Sequence, residues 1–117
     1  MNYKFINTEY LETLVSGGDK EIIRELVGIF RDQVVEIVLE MKSLNAKEDF
    51  NSLGMLAHKA KSSVTIMGMN DLAIMLKTFE LEGKEGINRE NYKSYILRFE
   101  DETRQAVAEL ENYINNL

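Results

Sequence analysis

The sequence contains no cysteine, no proline and no tryptophan, and it has a single histidine, His58. Without cysteine the chain can form neither disulfides nor thiolate metal sites, and one histidine is too few for a histidine-based metal cluster. We therefore expect no metal site and no cofactor belonging to this chain. A metal-dependent or nucleophilic hydrolase is disfavoured as well, because no second histidine or clustered pair of acids supports one.

Long apolar runs and an excess of basic charge are also missing. No apolar run approaches the length needed to cross a bilayer, and the opening segment MNYKFINTEYLETL lacks the basic and apolar regions of a secretory signal. The 14 basic and 20 acidic residues give a net charge of -6, which repels nucleic acid and anionic lipid at long range. We expect a cytoplasmic monomer that inserts into no membrane, binds no nucleic acid and recognises folded protein partners.

What is present is a helical pattern of apolar residues. The 117 residues, 44% of them hydrophobic, suit one domain, residues 1–117, with one continuous core. No run of alternating apolar residues is long enough to indicate a sheet, whereas apolar spacings of three and four recur along the chain. The pattern therefore predicts an all-α protein.

Capping residues and glycines mark the predicted helix boundaries. They predict a short helix from Asn7 or Thr8 to Gly17–Gly18. Four longer helices follow: one from Asp19 to about Leu44, one from Asp49 to about Gly68, one from Asn70 to about Gly83, and a last one that begins at Asn88. Connections this short join neighbouring antiparallel helices. The predicted architecture is an antiparallel up-down four-helix bundle with an additional short N-terminal helix.

The third predicted helix carries His58 on its outward face. At 100° per residue, Leu56, Ala60 and Met67 lie on the side of the helix opposite His58. The same projection predicts a docking face of mostly small residues around the imidazole, made of Gly54, Met55, Lys59, Ser62 and Thr65. A glycine inside a helix costs roughly 1 kcal/mol relative to alanine, so Gly54 suggests that space beside the ring is useful.

Two consecutive segments carry a resemblance to a known family. The stretch LAHKAKSSVTIMG, followed by NDLAIMLKTFELEGKEG, resembles the histidine-containing phosphotransfer (HPt) domains of bacterial and plant phosphorelays. The resemblance implies that His58 is the phosphoacceptor, that Lys61 lies beside the phosphoryl group and that Gly68 ends the helix. It also places Glu80 where the family holds the other ring nitrogen, Nδ1.

The sequence departs from the family pattern at two positions near the histidine. Ser62 stands where a glycine is usual, and Ala60 stands where a leucine is usual. Because serine is still small, we expect these changes to alter the fit to a partner and not to prevent phosphorylation.

The resemblance also implies a mechanism for signal transduction in a two-component system. Neutral imidazole is nucleophilic near pH 7, and with Nδ1 held by Glu80 the phosphoryl group would be carried on Nε2. Lys61 would neutralise the phosphoryl oxygens, while Lys59 would give general electrostatic support or simply be solvated. The partners implied are receiver domains of hybrid histidine kinases and response regulators, which would supply the aspartate and the Mg²⁺.

The chain is thus interpreted as a carrier and not as a complete enzyme. Its glycines are too widely spaced for a nucleotide-binding P-loop, so phosphorylation from ATP is not expected. The dimerisation domain of a histidine kinase is a poorer fit, because Lys59 follows the histidine and no proline comes after it. The remaining alternative is a non-catalytic helical adaptor in which His58 is incidental and the methionines are packing residues.

Overall fold

The structure, a computed structural model, describes residues 3–117, so the first two residues of the predicted domain lie outside the described range. Residues 3–117 contain five α-helices and no strand, and 83% of these residues are helical. The helices are α1 (Glu9–Ser16), α2 (Lys20–Ala46), α3 (Phe50–Ile66), α4 (Asn70–Glu85) and α5 (Tyr92–Asn115), with a short 3-10 turn at Arg89–Asn91. The predicted all-α class is therefore confirmed.

The helix boundaries agree with the capping pattern at some positions and differ at others. Asp49 caps α3, and its carboxylate accepts a hydrogen bond from the Ser52 N–H at 3.4 Å. The prediction for Asn70 was wrong, because Asn70 is already the first residue of α4 and Met69 occupies the capping position. Asn88 precedes the 3-10 turn and not α5 itself.

The end of α4 also differs from its prediction. The helix continues through Gly83 to Glu85 and ends at Gly86, whose φ of 68° is in the left-handed region that glycine adopts easily. Gly83 is buried inside the helix. A glycine in a sequence can mark either a helix end or a close contact with a neighbour, and Gly83 is of the second kind.

The helices share one hydrophobic core. Each contributes an apolar stripe, and the largest fully buried side chains include Leu11, Ile23, Met41, Leu53, Phe79, Tyr92 and Phe99. Tyr92 is the one residue among them with a polar side-chain group. Its buried hydroxyl has hydrogen-bond partners, because it donates to the carbonyl oxygens of Glu82 at 2.7 Å and Ile87 at 2.6 Å. Burial of each large apolar side chain stabilises the fold by about 1.5–3 kcal/mol.

The long helices contact one another in a closed order. Helix α2 contacts both α3 and α5, α3 contacts α4, and α4 contacts α5, while α1 packs on α2. The molecule measures 45 × 20 × 20 Å, so its long dimension follows the helices. Within residues 3–117, every helix is too short or too polar to cross a bilayer.

The most extensive of these contacts joins α3 to α4, where the two backbones meet at a pair of glycines. A Cβ atom added to Gly54 would lie 2.8 Å from the Glu80 carbonyl oxygen and 2.9 Å from the Lys84 nitrogen. One added to Gly83 would lie 3.0 Å from the Gly54 backbone. These distances leave no room for a side chain, so the glycines set how closely the helices approach.

The prediction that Gly54 belongs to the exposed docking face was therefore wrong. Gly54 is buried against α4, although it lies one turn from His58 on the helix. Its missing side chain makes space for the backbone of a neighbouring helix and not for an incoming partner.

The chain before α1 is tied across one end of the molecule. The Glu109 carboxylate on α5 accepts hydrogen bonds from the backbone N–H groups of Lys4, Phe5 and Ile6 at 2.9–3.1 Å. The Asn7 N–H donates to the Met67 carbonyl oxygen at 3.1 Å. Gly68, at φ 75°, follows the end of α3 as predicted, and a Cβ atom there would lie 2.5 Å from Asn7.

We predict that Gly54→Ala destabilises the protein although alanine is the better helix former. The added methyl meets backbone atoms, so α3 and α4 must separate, and we expect the free energy of unfolding in urea to fall by about 1–3 kcal/mol. Gly28→Ala in α2 is the matched control, since its Cβ would meet only the far end of Arg31 at 3.9 Å. The control should gain roughly 0.5–1 kcal/mol. Equal stabilisation by both changes would contradict the role of Gly54.

Candidate functional site

The side chain of His58 lies on the outer surface of α3. It is 56% exposed, while Leu56, Ala60 and Met67 on the opposite side of the helix are buried. This is the orientation that the helical projection predicts. The imidazole is therefore accessible to a molecule approaching from solvent.

One carboxylate lies directly beside the ring. Glu80 extends from the neighbouring face of α4 and its side chain is only 5% exposed. Its Oε1 is 3.0 Å from His58 Nδ1, within hydrogen-bond distance. The close approach of the helices at Gly54 explains why the Glu80 side chain reaches His58. The Glu80 carbonyl oxygen is one of the backbone atoms that a side chain at position 54 would meet, so this part of α4 lies directly against α3.

Three lysines surround the same carboxylate. Lys84, one turn further along α4, donates to Glu80 Oε2 at 2.9 Å. The ammonium groups of Lys77 on α4 and Lys61 on α3 lie 3.7 Å and 3.9 Å from Oε1. The site therefore draws its charged groups from both helices of the α3–α4 pair.

The lysines keep the buried carboxyl group ionised. The hydrogen bond from Lys84 lowers the pKa of Glu80 and outweighs the effect of burial, which raises it. The contacts with His58 and Lys77 lower the pKa further, to about 2. Glu80 is therefore a carboxylate across the neutral pH range. A carboxylate can only accept hydrogen bonds.

This charge state determines which ring nitrogen carries the hydrogen. Because Glu80 can only accept, the hydrogen bond at 3.0 Å requires a hydrogen on His58 Nδ1. In the neutral ring, Nε2 then keeps its lone pair. The arrangement holds a nucleophilic nitrogen on an exposed imidazole and provides a negative charge that stabilises any positive charge developing on the ring.

The other members of the predicted docking face are exposed. Met55, Lys59, Ser62 and Thr65 line the outer side of α3, although the Thr65 hydroxyl turns back to donate to the Lys61 carbonyl oxygen at 2.7 Å. Ser62 has no bulk beyond a hydroxymethyl group. The surface beside His58 is thus low at Ser62, while Met55 and Lys59 project further round toward α2 and Lys61 and Glu80 lie on the α4 side.

Lys77 and Lys84 were missed at the sequence level. Their spacing from Glu80, three residues before and four after, places all three side chains on one face of a helix. That spacing was a usable signal once Glu80 had been singled out. In the described part of the chain, no group of three or more histidine and acidic side chains is arranged to hold a metal ion.

We predict that Glu80 gives the protein an acid-dependent stability. Since its pKa is about 2 in the folded state against 4.5 ordinarily, the unfolded chain binds the proton first as pH falls. Stability from Glu80 is complete above pH 4.5 and is lost between pH 4.5 and 2, by about 3 kcal/mol in total.

Urea unfolding at a series of pH values measures this loss. The slope of unfolding free energy against pH should be clearly shallower in Glu80→Gln than in the unmodified protein. Glu85→Gln, at an exposed position on the same helix, is the control and should keep the original slope. Identical slopes in all three proteins would contradict the lowered pKa.

Comparisons with known proteins add no assignment to this site. The chain has no significant match among family models, curated protein sequences or solved structures. The functional interpretation of His58 and its neighbours therefore depends on their geometry and on the resemblance of the segments that contain them.

Proposed function

We propose that the protein is a phosphoryl carrier of the HPt type, in which His58 accepts a phosphoryl group from an aspartyl phosphate of one receiver domain and passes it to an aspartate of another. The observation that carries the proposal is the pair formed by His58 and Glu80. An exposed imidazole with its Nδ1–H held by an ionised, buried carboxylate keeps Nε2 available as a nucleophile.

The transfer step follows from this pair. The Nε2 lone pair attacks phosphorus, the bond between phosphorus and the aspartyl oxygen breaks, and its electron pair leaves with the aspartate as a carboxylate. The Nδ1 hydrogen stays on the ring and on its hydrogen bond to Glu80, so the positive charge formed on the imidazole is stabilised. Attack by a second receiver's aspartate on the same phosphorus reverses the sequence. Mg²⁺ is expected in the receiver domain.

Lys61 is proposed to neutralise the phosphoryl oxygens. Its ammonium group lies on the α4 side of His58, is 3.9 Å from Glu80 Oε1 and has a partly exposed side chain. A lysine at hydrogen-bond distance from a phosphoryl oxygen stabilises the dianion by a charge-assisted bond. The protein itself is proposed to have no ATP site and to depend on its partners for phosphoryl groups.

The architecture proposed with this function is one domain, an antiparallel up-down four-helix bundle with α1 added at one end. It is supported by the closed order of contacts through α2, α3, α4 and α5 and by the short connections between successive helices. The docking face would then be the exposed side of α3, comprising Met55, Lys59, Ser62 and Thr65. A monomeric carrier in the cytoplasm, where receiver domains are found, completes the proposal.

We predict that His58→Gln abolishes phosphoryl uptake and leaves the fold intact. Receiver domains carrying radioactive phosphate should label the unmodified protein with a label that survives alkali and is lost in acid, the behaviour of a phosphohistidine. The variant should remain unlabelled because the chain has no other histidine. Its unfolding free energy should change by about 1 kcal/mol or less, since the imidazole is exposed.

The same experiment separates the carrier from the adaptor. Label retained in His58→Gln would show a different acceptor. An unmodified protein that stays unlabelled with a broad panel of receiver domains, while still binding some of them, would favour the helical adaptor.

We predict that Ser62→Arg slows transfer from receiver domains by about tenfold or more. A long charged side chain one turn from His58 would fill the low surface that a receiver must approach, and a tenfold loss corresponds to about 1.4 kcal/mol. Ser94→Arg, an equal change at an exposed position on α5, should transfer at the original rate. The measurement is the rate of label transfer under single-turnover conditions. Equal rates for the two variants would place the docking surface elsewhere.

A further inference from the structure

The site around His58 holds more positive charge than its carboxylate needs. Three lysines, Lys61, Lys77 and Lys84, approach the single carboxylate of Glu80 in a protein whose net charge is -6. One hydrogen-bonded lysine already gives Glu80 an ion-pair partner. Two positive charges are therefore left over next to an exposed imidazole.

The three lysines are not equivalent. Lys84 is bound to Oε2 at 2.9 Å, the distance of a charge-assisted hydrogen bond. Lys61 and Lys77 both approach the other oxygen, Oε1, which is also the oxygen that bonds His58. At 3.9 Å and 3.7 Å they are too far for hydrogen bonds, so neither ammonium group is fixed there.

This placement leaves both ammonium groups available to a second anion beside the ring. In residues 3–117 the ion-pair contacts of both lysines are to Glu80 alone, which Lys84 already binds by a hydrogen bond. They come from different helices, Lys61 from α3 and Lys77 from α4. The Lys77 side chain is 51% exposed and can therefore turn from Glu80 toward solvent on the imidazole side.

We propose that Lys77 and Lys61 form a two-cation clamp for a phosphate-class dianion at His58, and that Lys77 is a further catalytic residue that contacts the phosphoryl group. In this clamp one cation comes from each helix, and Lys84 stays on Glu80 to keep it ionised. The assignment of Lys77 to phosphoryl transfer rests on the proposed carrier function. Binding of a free dianion requires only the charges and the geometry described.

The first test uses inorganic phosphate as the probe and needs no phosphoryl transfer. Phosphate is titrated into the unmodified protein, Lys77→Gln and Lys93→Gln, and the His58 ring resonances are followed by NMR. Lys93, exposed on α5, is the matched control for loss of one positive charge. We expect phosphate to shift the ring resonances in the unmodified protein and in the control, with affinity at least several-fold weaker in Lys77→Gln. Equal affinities in all three proteins, or no shift in any of them, would overturn the clamp.

The second test loads His58 from potassium phosphoramidate, a small donor that carries no receiver domain. Nε2 attacks phosphorus, the phosphorus–nitrogen bond breaks and ammonia leaves with a proton from solvent. We expect Lys77→Gln to load about tenfold more slowly than the unmodified protein and the control, and Lys77→Arg to recover most of the rate because it keeps the charge.

The phosphorylated proteins allow a second measurement, the pH midpoint of the ³¹P titration, which a change in packing alone would not alter. A cation near the phosphoryl group favours its dianionic form, so the ³¹P titration midpoint should lie about half a pH unit higher in Lys77→Gln. Unchanged loading rates and midpoints would remove Lys77 from the transfer step. If His58 in the unmodified protein takes phosphoryl from neither phosphoramidate nor receiver domains, the carrier function fails, while the phosphate titration still decides whether the clamp exists.

Discussion

The contact between the α3 and α4 backbones at Gly54 and Gly83 is the constraint on which the candidate site depends. Since no side chain separates the helices there, the Glu80 carbonyl oxygen would lie 2.8 Å from a Cβ atom at position 54. The carboxylate of the same residue can then reach His58 on the facing helix. A backbone contact with no chemistry of its own thereby determines the tautomer of an imidazole one turn away.

Glu80 is buried and charged, a combination that is costly unless the charge is compensated. The hydrogen bond from Lys84 and the neighbouring Lys77 and His58 provide that compensation and hold the pKa of Glu80 near 2. A neutral acid at this position could donate its own hydrogen to the ring and would no longer select the Nδ1–H form. The lysines around Glu80 thus maintain the charge state on which the nucleophilicity of Nε2 depends.

The periodicity of apolar residues was enough to predict the helices and the outward orientation of His58, because both are properties of one helix and its buried stripe. Gly54 was misinterpreted for the opposite reason. A projection of α3 alone shows which side faces the core, but the position of α4 against that side depends on residues in both helices, and Gly83 was taken for a helix end. The spacing of Lys84 from Glu80 was visible in the sequence, but its effect on the carboxylate depends on the burial of Glu80, which only packing establishes.

The Glu109 carboxylate, which accepts hydrogen bonds from three successive N–H groups of residues 4–6, joins the start of the described chain to α5. The bond from Asn7 to Met67 joins the same segment to the turn after α3. Ile6, between these bonds, is buried in the shared core, so the segment cannot leave α5 without exposing an apolar side chain and breaking the bonds to Glu109. We therefore expect residues 4–7 to unfold together with α5 and with the end of the helix that carries His58, although these segments are far apart in sequence.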